Sequence, residues 1–369
     1  LLTDNLQAPG RASRFASLRA LRRALFRENA NPIGSDLRRV LRGCAGIAIG
    51  LFGFAVGACA DNTSSYGQSA QAKAFADEMA TQHGFKREEV LQVLSKAERQ
   101  QSILDAIARP AEKAKPWKDY RKLFVTSDRI QQGAAFWRDH AATLARAEKE
   151  FGVPPQIVVA ILGVETRYGR NMGGYRVLDA LATLGFDYPP RAEFFRNQLV
   201  EFFLMTREQK LAPERVLGSY AGAMGYGQFM PSSFRKYAVD FDGDGRIDVI
   251  NDIDDAIGSI ANYLKGHGWQ RGAPIVVRAI AREPLAEGLI RESLEPVTPL
   301  ADYRRQNIQP ATALPDTLNA ALFMVEADAG TEYWLALNNF YVITRYNRSQ
   351  MYALAAVQLS EEIAASWQR

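Results

Sequence analysis

From Ile157 to Val164 every residue is apolar or glycine, and the run then meets Glu165. Pro154 and Pro155 suit the start of a helix and Gly169 its end. A helix without a polar face has to be buried on all sides, so other elements must wrap around this one. At 3.6 residues per turn Ile157, Ile161 and Glu165 share one stripe, with Leu162 beside it. An isolated carboxyl in that company loses hydration. Its pKa is expected to rise, which is what a general acid needs near neutral pH. The plainer reading is a surface glutamate at a helix end, paired with Arg167 or Arg170.

The rest of the chain supplies the wrapping. Apolar residues three and four apart predict helices over Gln71–Gln82, Lys86–Arg109, Ser127–Phe151, Pro154–Arg167, Arg191–Glu208 and Asp254–His267. Ser127 and Asp128 suit an N-cap for the third of these. After Gly272 the period changes. Short β-favouring runs at Pro274–Ile280, Ala321–Glu326 and Glu332–Leu337 predict strands, and Ser349–Trp367 returns to helix. The expected class is α+β, mainly α: a helical core over 71–271, a small β-sheet over 272–345, and a closing segment with a C-terminal helix over 346–369. Helices on both sides of the β part suggest one cooperative unit.

The net charge of +4 invites a nucleic-acid partner, but its position withdraws the invitation. Residues 1–43 hold nine arginines against Asp4, Glu28 and Asp36, so the remainder is slightly acidic and has no patch for phosphates. The apolar run from Ala45 to Ala58 is too short to span a bilayer but fits a secretory leader. Val56-Gly57-Ala58-Cys59 resembles a bacterial lipobox, which would make 1–58 a leader and Cys59 a lipidated first residue. A membrane anchor that is never cut is the alternative. Ala60 after the cysteine goes with the outer membrane, so the expected location is periplasmic and lipid-anchored. Cys44 and Cys59 are the only cysteines, which excludes a disulfide within the mature chain. Residues 59–70 are small and polar and read as a tether.

Several chemistries fall away. His83, His140 and His267 have no zinc spacing, there is no nucleophile elbow, and the mature part has no thiol nucleophile. Gly222 to Gly227 is glycine-rich but lacks the lysine and strand of a phosphate loop. No organic cofactor is expected. The stretch from Gly218 to Phe234 mixes small residues with Ser219, Gln228 and aromatics. It suits close approach to a sugar, polar at its edge and apolar on its face, or else a tight turn between helices.

Four motifs carry a resemblance: Gly163-Val164-Glu165-Thr166-Arg167-Tyr168-Gly169, Tyr188 to Glu193, Ala223 to Ser233, and Asn339 to Asn347. From about Lys118 to its end the chain resembles the membrane-bound lytic murein transglycosylase B family. That resemblance implies a lysozyme-like core cutting peptidoglycan between N-acetylmuramic acid and N-acetylglucosamine. Glu165 matches the catalytic acid. It would protonate the leaving oxygen and then act as base on the muramic 6-hydroxyl, giving a 1,6-anhydro end. A substrate acetamido group can replace the second carboxylate of most glycosidases, and Ser219 would orient it. Asp187 and Glu193 read as structural or solvated. Sugar-binding positions implied by the resemblance are Tyr120, Arg191, Ser219, Gln228, Phe229, Tyr263, Tyr346, Asn347 and Tyr352. Pro190 and Phe194 depart from the pattern, where relatives can carry Arg and Tyr.

Asp240, Asp242, Asp244 and Asp248 stand at positions one, three, five and nine of an EF-hand-like loop, with Gly245 at six. Arg246 is at seven, where the backbone carbonyl is the donor. Position twelve is Asn251, and the resemblance implies closure by an aspartate at the next helix start, Asp255 or its competitor Asp254. Calcium in a structural role is expected, and a metal-free turn is the alternative. Two other functions stay open: a hydrolytic muramidase, and a peptidoglycan-binding lipoprotein without turnover. Glycan strands and the outer membrane are the expected partners. Protein partners, cell-wall synthesis proteins among them, are left open.

Overall fold

The apolar run after Pro154 lies at the centre of the molecule. The structure is a computed structural model that describes residues 65–108, 115–282 and 285–368, all within one compact unit from Asp61 to Arg369. The leader over 1–58 and Cys59 lie outside the described residues.

Helices α1 (Ala70–His83), α2 (Arg87–Leu94) and α3 (Gln101–Ala108) precede α4 (Trp117–Phe124), α5 (Ser127–Asp139) and α6 (Ala141–Phe151). Then comes α7 (Pro155–Thr166), with Pro154 at the N-cap and Pro155 inside the first turn. Its residues Ile157 to Gly163 are all buried, and each large apolar side chain so buried stabilises by about 1.5–3 kcal/mol. The strand β1 (Tyr175–Arg176) leads into α8 (Val177–Asp187) and α9 (Ala192–Glu208), and β1 pairs antiparallel with β2 (Leu217–Gly218). Helices α10 (Pro231–Tyr237) and α11 (Ile253–Gly266) complete the first helical layer.

A five-stranded antiparallel sheet follows, built from β3 (Val276–Ile280), β4 (Thr298–Pro299), β5 (Gln309–Pro310), β6 (Asn319–Ala327) and β7 (Gly330–Ala336) in the order β4-β6-β7-β3-β5. Side chains alternate across it. Ala321, Phe323 and Val325 face the main core, whereas Ala320, Leu322 and Leu335 join a second core with Leu300 and Tyr303 of α12 (Leu300–Arg305). Helix α13 (Asn338–Tyr346) then leads to α14 (Gln350–Trp367), which packs on α4, α5 and α7. The α+β, mainly α class holds.

The expected elements differ from these in instructive places. The tether expected over 59–70 is shorter, because Ser65 bridges to Glu98 and the Tyr66 ring is buried against Phe186, with centroids 5.2 Å apart. The one helix expected over Lys86–Arg109 is two. Asp179 and Thr183 of α8 accept from the amides of Glu98 and Gln100 at 2.9 and 3.1 Å, holding the chain extended between α2 and α3. The helix expected over Ser127–Phe151 breaks at His140, which turns α6 onto α11 while α5 stays against α14. Its cap is Thr126, whose hydroxyl accepts from the Arg129 amide at 3.3 Å, rather than Ser127 or Asp128. Helix α8 has no polar stripe because Val177 to Gly185 are all buried, and a pattern without a period gives no signal. Helix α13 occupies the end of the region expected to be β.

Candidate active site

From Ile157 to Gly163 helix α7 is wholly buried, and in its last turn Val164 and Glu165 are half-buried. The helix stops two residues short of Gly169. Arg167 and Tyr168 have φ of 52° and 60°, a left-handed turn that non-glycine residues adopt only when held there. Thr166 and Tyr168 hold it. The Thr166 hydroxyl accepts from the Gly169 amide at 3.0 Å and donates to the Tyr226 carbonyl at 2.9 Å. The Tyr168 hydroxyl donates to the Arg129 carbonyl at 2.8 Å. Arg167 is taken by Asp128 and by Gln132, the latter at 3.2 Å. Glu165 therefore leaves the end of a rigid helix whose exit is pinned on two sides.

The carboxyl is not isolated, as the apolar run had suggested. The Tyr352 hydroxyl, from the first turn of α14, donates to Glu165 Oε1 at 2.6 Å. Ser349 caps that helix by accepting from the Tyr352 amide at 3.3 Å, which fixes where the phenol points. Tyr346 stands beside it and donates to the Gly227 carbonyl at 2.6 Å. Burial, and next the negative charge of Glu165, push both phenols well above the usual tyrosine range. Both are therefore neutral donors near neutral pH.

Tyr346 also closes an aromatic cluster. It meets Tyr263 at 4.8 Å and Phe229 at 6.0 Å, both edge-on, and the Tyr263 hydroxyl donates to the Arg345 carbonyl at 2.6 Å. Phe229 and Tyr263 are 2% and 7% exposed. They wall the site and offer little surface to a ligand. The same holds for Tyr352, and Tyr120 is fully enclosed at 0% exposure, its ring against Trp117 and Phe124. An aromatic ring enclosed among apolar helices packs first. Arg191 is exposed, with its guanidinium over the rings of Phe194 and Phe195 at 4.5 and 5.0 Å. Asn347 is half-buried at the C-cap of α13.

The glycine-rich stretch is a compact loop folded on itself. Met224 bridges to both Gly218 and Phe229, and the Ser219 amide donates to the Ala223 carbonyl at 2.8 Å. Ser219 Oγ accepts from the amides of Ala221 and Ala223 at 3.3 and 3.1 Å, which leaves its proton to donate. Gln228 sits at φ 50° and donates through Nε2 to the carbonyls of Met172 and Gly225 at 3.1 and 3.0 Å. Gly225 is required by close approach: a Cβ there would strike the carbonyl of Val249, and its φ is 68°. Thr166, Tyr168 and Tyr226 do the positioning, and periodicity had not singled them out. Their one signal was adjacency to Glu165 and Gln228.

The acidic loop is preformed. One carboxylate oxygen from each of Asp240, Asp242 and Asp244 lies within 4.8 Å of the others. Asp240 accepts from the amides of Gly243 and Gly245 at 2.7 and 2.8 Å. Asp242 and Asp244 accept from the amides of Asp244 and Arg246 at 3.0 and 2.8 Å. The two candidates for closing the loop part ways. Asp254 accepts from the Thr143 hydroxyl on α6 at 2.7 Å, while Asp255 turns into the loop and accepts from the amides of Phe241 and Asp248 at 2.5 and 2.7 Å. Burial raises the Asp255 pKa. Three convergent carboxylates on an oxygen-rich turn fit a hard divalent cation of calcium's size. The loop touches the glycine-rich loop directly, since the Tyr226 amide donates to the Val249 carbonyl at 3.1 Å.

The family model described as the transglycosylase SLT domain matches residues 67–361. The membrane-bound lytic murein transglycosylase B of Escherichia coli K12 is 44% identical over 308 residues, which are 81% of this chain and 84% of that protein. Among solved structures, the catenated lytic transglycosylase SltB1 of Pseudomonas aeruginosa is 52% identical, with a TM-score of 0.79 over 82% of this chain and 99% of that one. The Escherichia coli lytic transglycosylase Slt35, solved with calcium and also with bulgecin A, is 42% identical, with a TM-score of 0.76 over 82% of this chain and 96% of that one. With fold and sequence in agreement, this chain belongs to the lytic murein transglycosylase B family, the lysozyme-like lytic transglycosylases of peptidoglycan.

Proposed function

We propose that this enzyme cleaves the β-1,4 bond from N-acetylmuramic acid to N-acetylglucosamine with Glu165 as the one acid and base, leaving a 1,6-anhydromuramic end. The observation that carries the reading is the setting of Glu165: a half-buried carboxyl at the end of an apolar helix, held through Oε1 by Tyr352 at 2.6 Å. The neutral Tyr352 phenol orients the carboxyl that meets the glycosidic oxygen. Glu165 gives its proton to the departing sugar and then takes the proton of the muramic 6-hydroxyl as that oxygen closes on the anomeric carbon. The acetamido group of the substrate steadies the positive charge between the two steps. Ser219, with its proton free to donate, orients that group. Gln228, Tyr346 and Asn347 border the site, and Arg191 reaches outward for more distant sugar units or for charge. The carboxylates at hand are engaged elsewhere: Asp187 accepts from Tyr66 and pairs with Arg99 at 3.3 Å, and Glu193 is exposed in the first turn of α9.

Calcium, held by Asp240, Asp242, Asp244, the Arg246 carbonyl and Asp255, neutralises the clustered charge and fixes the loop on which Gly225 and Tyr226 rest. Cys59 carries the lipid that ties the enzyme to the outer membrane from the periplasmic side. The described residues contain no helix long and apolar enough to cross a membrane, and the Escherichia coli relative is named as membrane-bound. The test is mass spectrometry of products from purified sacculi. The wild-type chain is expected to release anhydro-ended fragments and Glu165→Gln none, with its melting temperature kept. Reducing ends would sink the proposed chemistry, and unchanged release by the variant would sink the role of Glu165.

A further inference from the structure

Thr166, the residue after Glu165, is fully buried, yet its hydroxyl is used on both sides. It accepts from the Gly169 amide at 3.0 Å, which closes the exit of α7, and donates at 2.9 Å to the carbonyl of Tyr226 in the glycine-rich loop. A threonine that served the helix alone would need neither bond, because its oxygen also lies 3.3 Å from the Leu162 carbonyl one turn back. Tyr226 is held at its other end as well. Its amide donates to the Val249 carbonyl at 3.1 Å, and a Cβ on Gly169 would strike its ring. The next carbonyl, that of Gly227, takes the Tyr346 phenol at 2.6 Å, so the segment is gripped from three directions.

The far end of this series is the acidic loop. Val249 directly follows Asp248, whose amide donates to Asp255 at 2.7 Å, and Asp255 also takes the Phe241 amide at 2.5 Å, joining the two ends of the loop. Val249 and Thr166 are both 0% exposed, so a displacement at the loop meets little slack before it reaches the turn that carries the carboxyl. Resting on the reading of Glu165 as the catalytic acid, we infer that Thr166 is a positioning residue that ties Glu165 to the acidic loop through Tyr226. When the carboxylates of Asp240, Asp242 and Asp244 are drawn together, Val249 and Tyr226 are fixed with them, and the exit of α7 is fixed in turn. The acidic loop then regulates turnover in addition to stabilising the fold.

The test sets shape against hydroxyl. Thr166→Val keeps the volume and loses the hydrogen bonds, whereas Thr166→Ser keeps the hydroxyl and loses the methyl group. On a defined muropeptide kcat should fall about tenfold in Thr166→Val, roughly the kinetic equivalent of one hydrogen bond, with KM kept, and Thr166→Ser should recover most of it. A role in packing alone gives the opposite order. Coupling is read from a cycle with Asp242→Asn, which should lower kcat about fivefold in the wild-type background and little further in Thr166→Val. A second readout needs no turnover: nuclear magnetic resonance of the chain isotope-labelled at its glutamate carboxyls, with the Glu165 signal identified by its loss in Glu165→Gln. Added calcium should move that signal in the wild-type chain and in Thr166→Ser, and leave it in place in Thr166→Val. No movement in the wild-type chain, full addition of the two losses in the cycle, or wild-type kcat in Thr166→Val overturns the inference. Should Thr166→Val not fold, the signal in the wild-type chain and in Thr166→Ser still decides. If Glu165→Gln keeps full activity, the reading of Glu165 has failed, and the carboxyl signal still reports whether the loop reaches it.

Discussion

On the mechanism proposed above, the chemistry at Glu165 leans on its hydrogen bond from Tyr352. The Tyr352 phenol is buried, stays neutral, and spends its proton on Oε1. Tyr352→Phe keeps the ring and its packing but removes the donor. A hydrogen bond to a charged group contributes about 1.5–3 kcal/mol, so kcat should fall roughly ten- to hundredfold with KM little changed. Steady-state kinetics on one defined muropeptide, beside a thermal melt, would check it. A rise in KM with kcat kept would mean that the phenol binds sugar and does not hold the acid. Tyr120 makes the contrast. Its ring is fully enclosed beside Trp117 and Phe124, and its phenol lies close enough to Tyr352 to act on it electrostatically.

At the scale of elements, the acidic loop and the glycine-rich loop meet at Val249, which takes the Tyr226 amide and lies against Gly225. Calcium at a hundred times its dissociation constant would add about 2.7 kcal/mol to the folded state, which is several degrees of melting temperature in a chain of this size. A chelator should remove that increment, and Asp242→Asn should make the melting temperature indifferent to calcium. A melt equally blind to calcium in the wild-type chain would remove the ion from the account. The elements themselves were unequally readable. Helix α7 announces itself because prolines start it and nothing polar interrupts it. Helix α8 does not, since burial on every side erases the period. The split between α2 and α3 is invisible locally, because the groups that cause it, Asp179 and Thr183, sit some eighty positions away. Glu165, Gln228 and the acidic loop were legible as residue types in a pattern. The partners Thr166, Tyr168 and Tyr226 were not, because bonds between loops leave no periodic trace.

At the scale of the whole molecule, helices from the first half of the described chain and the last helix enclose the same core. Helix α14 lies on α4, α5 and α7, Arg121 donates to Gln358 at 2.6 Å, and Trp367 stacks on Trp137 with centroids 4.8 Å apart. A chain stopped after Arg348 would lose a helix with nine buried residues, Leu354, Leu359 and Ile363 among them. Burying each of those three stabilises by about 1.5–3 kcal/mol, so losing those three alone is comparable with the whole stability of a typical domain, about 5–15 kcal/mol. Such a truncation should give no cooperative melt by circular dichroism, and a cooperative one would show that the closing helix is dispensable.

The proton donor and its support come from segments 187 residues apart. A growing chain has its glutamate long before it has its tyrosine, so on the proposed mechanism a chain interrupted between the two carries the acid without its support.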